Sequence, residues 1–327
     1  MPTCRVYLFT YKRPELLPRA IKSLLGQTFT DWICEVHNDC PNDNNPEEYI
    51  KTLNDTRFII KNHPNNLGPT KSFNLAFNGC TEEYSTLLED DNWWEPDFLN
   101  EAILVLESRP SIPICWSNMV IWKELPGNKW ENTKKNIWDI NSDQIFEWPH
   151  IKQVLGAVHS NGAMLWRSKN SPKYKIPDNS IFNAVELIRE RTFDYPLYLI
   201  AKPLANYAFT LQTHQSQKDW EWTGTQVMLY ESFVNNLEEQ TLIKEIEQFY
   251  KDSNGSFLVF SLTENYSEQY SILKLWTKFK WFAASPLRFL KFRQFLRDQK
   301  NVSEFLAERT KFQDKVTFRE PLKIKRE

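Results

Sequence analysis

The N-terminal third of the chain alternates short apolar runs with segments whose apolar residues recur at helical spacing, and this limits the fold more than any other feature. Arg5-Val6-Tyr7-Leu8-Phe9-Thr10, Trp32-Ile33-Cys34-Glu35-Val36-His37, Arg57-Phe58-Ile59-Ile60-Lys61-Asn62 and Tyr84-Ser85-Thr86-Leu87-Leu88 read as strands. Residues 15–25, 47–53, 70–77 and 98–106 read as helices. In the first of these, Leu16, Leu17, Ala20, Ile21, Leu24 and Leu25 share one face, and Gly26 ends it. Strand–helix alternation of this kind predicts an α/β fold with a mainly parallel, Rossmann-like sheet flanked by helices. Such sheets bind ligands at the carboxyl edge of their strands. Thr10-Tyr11, Asn38-Asp39, Asn66 to Gly68 and Glu89 to Asp91 all fall at a strand end or in the loop leaving it. Parallel strands would bring them to one rim.

The acidic member of that rim is Leu87-Leu88-Glu89-Asp90-Asp91-Asn92-Trp93-Trp94-Glu95-Pro96-Asp97. Consecutive carboxylates repel one another and resist burial, and a divalent cation is a common reason to place them at a strand end. An acidic turn opening a helix at Pro96 accounts for the same residues. The shared rim favours the metal. No GxGxxG follows the first strand and no GxxxxGK[ST] occurs, so dinucleotide and P-loop sites are disfavoured. A phosphate ligand here would come with its metal.

Beyond Pro110 the alternation fades. Residues 114–122 and 159–167 read as strands, and 123–148 as a polar, Trp-studded insertion, a mobile or substrate-facing loop. Residues 182–191 read as a helix, 198–201 and 205–209 as two short strands, and 213–217 as a polar loop. From Gln226 the chain turns helical. Residues 271–300 interleave Leu273, Trp276, Phe279 and Phe282 with Lys274, Lys278, Lys280 and Arg288, which suits an anionic membrane surface or packing on the domain. The expected organisation is a catalytic-type domain at 1–225, in halves 1–110 and 111–225, and a helical region at 226–327.

A chain of 327 residues can hold that arrangement. Its net charge of -2 gives no argument for nucleic acid. Cys4, Cys34, Cys40, Cys80 and Cys115 are odd in number and lack CxxC spacing, which predicts free thiols in a reducing compartment. With no signal-peptide pattern and no bilayer-length apolar run, a cytoplasmic protein is expected.

Four ordered motifs resemble glycosyltransferase family 2, of the GT-A fold. Val6-Tyr7-Leu8-Phe9-Thr10-Tyr11-Lys12-Arg13-Pro14-Glu15-Leu16-Leu17, then Ala20-Ile21-Lys22-Ser23-Leu24-Leu25-Gly26-Gln27-Thr28, resembles that family's opening strand and helix. Asn38-Asp39 sits where the family has its first nucleotide-binding acid. Asn66-Leu67-Gly68 with Asn74 resembles its N-x-G…N segment, and Leu88-Glu89-Asp90-Asp91-Asn92 its DXD-type motif. The resemblance is strong over the first hundred or so residues and weak by Phe209.

By this resemblance Thr10, Tyr11 and Asp39 would hold the nucleotide base, with Gly68 and Lys71 also at the nucleotide. Asp90 would contact the ribose or help hold a metal, and Asp91 would ligate it. His214 resembles a histidine that completes the metal shell in some relatives. The implied enzyme is an inverting hexosyltransferase with Mg2+ or Mn2+, a nucleotide-diphosphate sugar donor (UDP-sugar above all) and a glycan or lipid-linked acceptor. The metal would neutralise the leaving diphosphate, and a base would take the acceptor proton. Relatives carry a Glu-Asp pair at the helix after the Gly162 strand; here the helix reads Phe182-Asn183-Ala184-Val185-Glu186. Glu186 is the candidate base, with Asp178 and Asp194 in reserve. The missing pair keeps open a catalytically silent binder of nucleotide or glycan. A nucleotidyltransferase is disfavoured by the lack of a glycine-rich loop. His159-Ser160-Asn161-Gly162 either lines the sugar side or turns into a strand, and Trp93 and Trp94 either stack on a sugar or pack inside.

Overall fold

The computed structural model describes residues 3–211 except 128, 148–156, 179, 181–184 and 191, together with 283, 297, 298 and 300–304. The chain divides into two compact units, Met1–Trp148 with Ala157–Ser216 and Pro149–Gly156 with Gln217–Glu327. Only the first is substantially described. The sequence expectations for 226–327, including the amphipathic 271–300 segment, fall almost wholly outside the described residues, as does His214.

In chain order the first unit runs β1 (Cys4–Thr10), α1 (Leu17–Leu25), β2 (Trp32–Asn38), α2 (Asn45–Leu53), β3 (Phe58–Asn62), α3 (Pro69–Asn74), β4 (Tyr84–Glu89), β5 (Trp93–Trp94) and α4 (Phe98–Ser108). It continues with β6 (Ile114–Leu125), β7 (Lys129–Asn136), β8 (Gln144–Phe146), β9 (Met164–Arg167), α5 (Val185–Glu190) and β10 (Leu197–Phe209). The sheet order is β3-β2-β1-β4-β9-β6-β10-β5, with β7 on β6 and β8 on β10. β3, β2, β1 and β4 pair in parallel, as the alternation requires. β9 enters antiparallel between β4 and β6, and β6 pairs in parallel with β10. The result is a mixed α/β sheet whose first four strands are parallel.

The central strands are apolar on both faces because both are covered. On one side Val6, Leu8, Cys34 and Leu88 meet α1 and α4 through Leu17, Ile21, Leu99 and Ile103. On the other, Tyr7, Phe9 and Leu87 meet Phe73, Phe77 and Trp166. The five cysteines are free, and all but Cys80 are buried. Arg5 on β1 is tied to Glu35 on β2 at 2.6 Å and to the buried Glu82 at 2.8 Å, fixing the edge of the sheet opposite the rim.

Three expectations are corrected. The described residues of 123–147 are not one loop: β6 runs on to Leu125, turns through Gly127 at φ +82, and returns as β7, with β8 further on. β7 is polar because it is an edge strand with little buried surface, while its Trp130 docks against Arg19. Residues 198–201 and 205–209 are one strand, β10, whose register shifts around Pro203, where the missing N–H interrupts the ladder. Within 159–167 only Met164–Arg167 is strand, since Asn161–Ala163 forms a 3-10 turn.

Candidate active site

The parallel strands deliver their carboxyl ends to one rim, as expected. Asp39 N donates to Thr10 O at 3.0 Å, and Asp90 N donates to Phe9 O at 3.2 Å, so the ladder itself carries both acids to the end of β1. Thr10, Asp39 and Asp90 are buried, and Tyr11 is 41% exposed. The carboxylate of Asp39 reaches across to the loop before α3. Its Oδ1 accepts from Leu67 N at 2.8 Å and faces His63 Nδ1 at 3.1 Å; its Oδ2 accepts from Gly68 N at 3.1 Å. Gly68 has φ +78, a conformation that glycine adopts without strain. Lys71 follows on α3 and is exposed.

The acidic triplet divides its work. Asp90 Oδ2 accepts from Tyr11 N at 3.4 Å, while Arg13 Nη1 donates to Asp90 Oδ1 at 3.2 Å and to Asp91 Oδ2 at 2.7 Å. Burial, then the neighbouring Asp91, pushes Asp90 up to about 7 despite Arg13. Burial also raises Asp91, which Arg13 and Arg19 oppose. The Asp91 carbonyl accepts from Arg19 Nη2 at 2.8 Å. The Arg19 guanidinium lies 3.9 Å from both the Trp93 and Trp130 rings, and burial lowers its pKa to about 10. Trp93 is thus occupied by a cation. Trp94 is buried against Phe98 and donates through Nε1 to Gly162 O at 2.7 Å, so it packs inside.

Glu89 turns toward the second half. Its Oε2 accepts from Asn92 Nδ2, and Asn92 Oδ1 accepts from Ala208 N at 2.9 Å. Burial, then Asp91 and Glu186, drives its pKa well above the carboxylate range. Glu186 Oε1 accepts from Asn161 N at 2.8 Å. Arg189, one turn further along α5, is fully buried; Nη1 donates to Asn161 Oδ1 at 3.2 Å and Nη2 to Asn74 Oδ1 at 3.3 Å. Asp178 is exposed and accepts from Asn74 Nδ2 at 2.9 Å; Asp194 pairs with Lys173 at 3.2 Å. His159 is buried against Glu190.

The rim thus gathers Thr10, Tyr11, Asp39, Gly68, Asp90 and Asp91, and Glu186 is bound to Asn161 N, next to the Gly162 that Glu89 approaches. Sequence reading missed the roles of Arg13, Arg19, His63 and Arg189. For Arg13 a signal existed: two adjacent buried carboxylates need a cation from a neighbouring strand end, and Arg13 is the arginine that directly follows β1. Asp90 and Asp91 offer the hard oxygen donors that Mg2+ or Mn2+ takes. Among the described residues no third His, Cys, Asp or Glu joins them as a ligand group. Further ligands would be phosphate and water oxygens.

A buried acid at the end of β2, a carboxylate pair at the end of β4 and a mixed sheet of this order are the features of a GT-A glycosyltransferase domain. The model of the family described as Glycosyl transferase family 2 matches residues 6–170, a little over half of the chain, and the chain belongs to that family. WcaA of Escherichia coli, which carries the name of a colanic acid biosynthesis glycosyl transferase, is 32% identical over 100 residues, 30% of this chain and 36% of that protein. An uncharacterized glycosyltransferase of Methanocaldococcus jannaschii, MJ1057, is 27% identical over 205 residues, 61% of this chain and 65% of that protein. The chain therefore spans less than two thirds of either relative's length. Among solved structures, S. aureus TarS 1-349 in complex with UDP-GlcNAc has a TM-score of 0.56 at 14% identity, covering 95% of this chain and 92% of that one. The mannosyltransferase PcManGT of Pyrobaculum calidifontis, in complex with GDP-Man and Mn2+, has a TM-score of 0.50 at 12% identity, covering 95% and 88%. At these identities the likeness is one of fold. Among the described residues no helix is long and apolar enough to cross a membrane.

Proposed function

We propose that the chain is an inverting, metal-dependent hexosyltransferase that takes a UDP-sugar and glycosylates a glycan or lipid-linked acceptor. The observation that carries this reading is the convergence of Asp39 and the Asp90–Asp91 pair on the end of β1. Asp90 and Asp91 would hold Mg2+ or Mn2+, which when bound neutralises charge developing on the leaving diphosphate. Thr10, Tyr11 and Asp39 would seat the base, and the exposed Lys71 would meet the phosphates. Glu186, anchored by Asn161 N through Oε1, would take the acceptor proton on Oε2. His214 as a further metal ligand rests on the family resemblance alone.

Hydrogen-bond capacity at Asp39 supports uridine. A carboxylate has about four acceptor sites. With His63 protonated at Nδ1, Asp39 Oδ1 accepts twice, and Oδ2 accepts once from Gly68 N. One site remains, on Oδ2. Uracil presents a single N–H between two carbonyls, whereas guanine presents two adjacent N–H donors that need both carboxylate oxygens. The name of one relative, a colanic acid biosynthesis glycosyl transferase, supports a polysaccharide-type acceptor. The cytoplasmic location and the membrane contact through 271–300 are proposals on the same footing.

The test is a thermal shift with UDP-GlcNAc and GDP-Man, each with and without Mn2+, followed by donor hydrolysis. Stabilisation by the UDP-sugar with Mn2+, lost in Asp91→Ala and in Asp39→Ala, is expected. Binding without turnover would transfer the chain to the silent class, and no binding of either donor would overturn the proposal.

A further inference from the structure

A single nitrogen, Arg13 Nη1, touches both carboxylates of the Asp90–Asp91 pair, at 3.2 Å and 2.7 Å. This is the position from which one cation would bridge the two acids. Arg13 reaches it from the loop directly after β1, where Lys12 holds φ +55, and its side chain is one quarter exposed. The second guanidinium, Arg19, is fixed differently. It is sandwiched between Trp93 and Trp130 and donates to the main-chain carbonyl of Asp91 and not to its carboxylate. Of the two arginines, then, one is clamped and the other bears directly on the carboxylate oxygens from a loop.

We infer that Arg13 is a placeholder for the metal: its guanidinium neutralises Asp90 and Asp91 when no metal is bound and leaves them for the diphosphate when donor and metal arrive. The inference rests on the reading of Asp90 and Asp91 as the metal pair. A guanidinium suits this exchange, because its planar fork matches phosphate oxygens as well as carboxylates. No bond is made or broken; one ionic contact replaces another. Without an anion to receive it, Arg13 competes with the metal for the same oxygens. A nucleoside diphosphate supplies that anion, so metal and nucleotide bind with positive coupling, and by linkage each raises the affinity of the other by the same factor. The arrangement keeps a free dication from closing the site before the donor is present.

The test measures Mn2+ binding, not turnover. Mn2+ is titrated into the full chain with and without UDP, by calorimetry or by the loss of the free-Mn2+ electron spin resonance signal. In the wild type, UDP is expected to tighten Mn2+ binding by roughly tenfold or more, within the usual range of coupling. Arg13→Met is expected to bind Mn2+ about tenfold tighter than wild type without UDP, and to lose most of the UDP effect. Arg13→Gln, which keeps a donor for Asp91 but not the charge, is expected to do the same and covers the case in which the Met variant does not fold. Equal or weaker Mn2+ binding by both variants without UDP overturns the placeholder, even while Asp91→Asn abolishes binding and upholds the metal pair. Mn2+ binding that is indifferent to Asp91→Asn, or absent throughout, overturns the metal pair and the placeholder with it.

Discussion

Gly162→Ala tests how closely the two halves of the site meet. A Cβ at Gly162 would stand 2.8 Å from Glu89 Oε2 and 2.9 Å from Asn92 Nδ2. Ordinary contact begins at 3.4 Å, so the overlaps are 3.4 − 2.8 = 0.6 Å and 3.4 − 2.9 = 0.5 Å. Both atoms end side chains, but neither is free to swing away. They bond each other, and Asn92 is held from its other end by Ala208 N at 2.9 Å. Nor can the backbone retreat, because Gly162 O accepts from Trp94 Nε1 at 2.7 Å. The methyl group therefore either strains the packing or splits the Glu89–Asn92 pair, each costing about 1–3 kcal/mol. A loss of about 2 kcal/mol lowers the Tm by roughly 4–8 °C in a unit of this size. Displacing Glu89 by half an ångström also disturbs Asp91 and Glu186, so donor hydrolysis should fall by about tenfold or more. The assays are thermal unfolding and hydrolysis of UDP-GlcNAc. Gly26→Ala is the control: its nearest atoms stand at 3.4 and 3.7 Å and its φ is -81, so unfolded-state entropy should leave it equal or more stable, by up to about 1 kcal/mol. A Gly162→Ala protein as stable and active as Gly26→Ala would refute the close approach.

Two further outcomes concern the sheet that carries the site. Arg5→Leu strands Glu82, 6% exposed, without its cation, and should cost about 3 kcal/mol in urea unfolding, the low end for a buried pair because Glu35 remains partly hydrated. His37 lies under Phe9 and Tyr7 with Nδ1 3.1 Å from His63 Nε2; its Nε2 is 3.3 Å from Glu35 Oε2, off the line of a hydrogen bond. Burial holds the His37 ring below its ordinary 6.5, although Glu35 pulls the other way. A depressed histidine pKa favours the neutral ring in the fold, so its contribution is complete above pH 6.5 and is lost as the pH falls through the lower folded value. Tm should therefore decline below pH 6.5, and His37→Gln should flatten that decline.

The half of the candidate site built on β1, β2 and β4 is legible in the sequence because periodicity fixes where parallel strands end. Once β1, β2 and β4 are placed, Thr10, Asp39 and Asp90 must share a rim, whatever their side chains then do. The side chains that neutralise and space these groups are less legible. Two adjacent buried carboxylates call for a cation near a strand end, which points toward Arg13, but Arg19 looks like an ordinary helix residue, and the fold is needed to show that Arg13 spans the two carboxylates and Arg19 sits between two tryptophans. The polar β7 escapes sequence reading for a related reason: an edge strand with one docking tryptophan lacks the alternation that marks a half-buried strand.

Around Glu186 the limit is stricter, because its surroundings are built from contacts far apart in the chain. Arg189 is the clearest case, a fully buried cation whose described hydrogen bonds go to carboxamide oxygens, those of Asn161 and Asn74, the latter 115 residues away. Burial lowers its pKa to about 9, while Glu186 and Glu89 pull it up, so its charge is felt by both acids without touching either. A buried cation held in this way adds little to stability, because its desolvation offsets its hydrogen bonds. Arg189→Met removes the charge and the guanidinium that lies 4.3 Å from the Phe77 ring, while keeping much of the apolar stem. Asn74 Oδ1 retains Ile176 N as a donor at 3.3 Å, and Asn161 Oδ1 loses Arg189, costing about 1–2 kcal/mol against the relief of desolvation. Thermal stability should therefore move by no more than about 1–2 kcal/mol. Glu186 loses its nearby cation and the clamp on the Asn161 turn, so donor turnover should fall while UDP binding at Asp39, on the other half of the rim, is kept. A loss of UDP affinity as large as the loss of turnover would show that Arg189 supports the whole fold and not the Glu186 side of it.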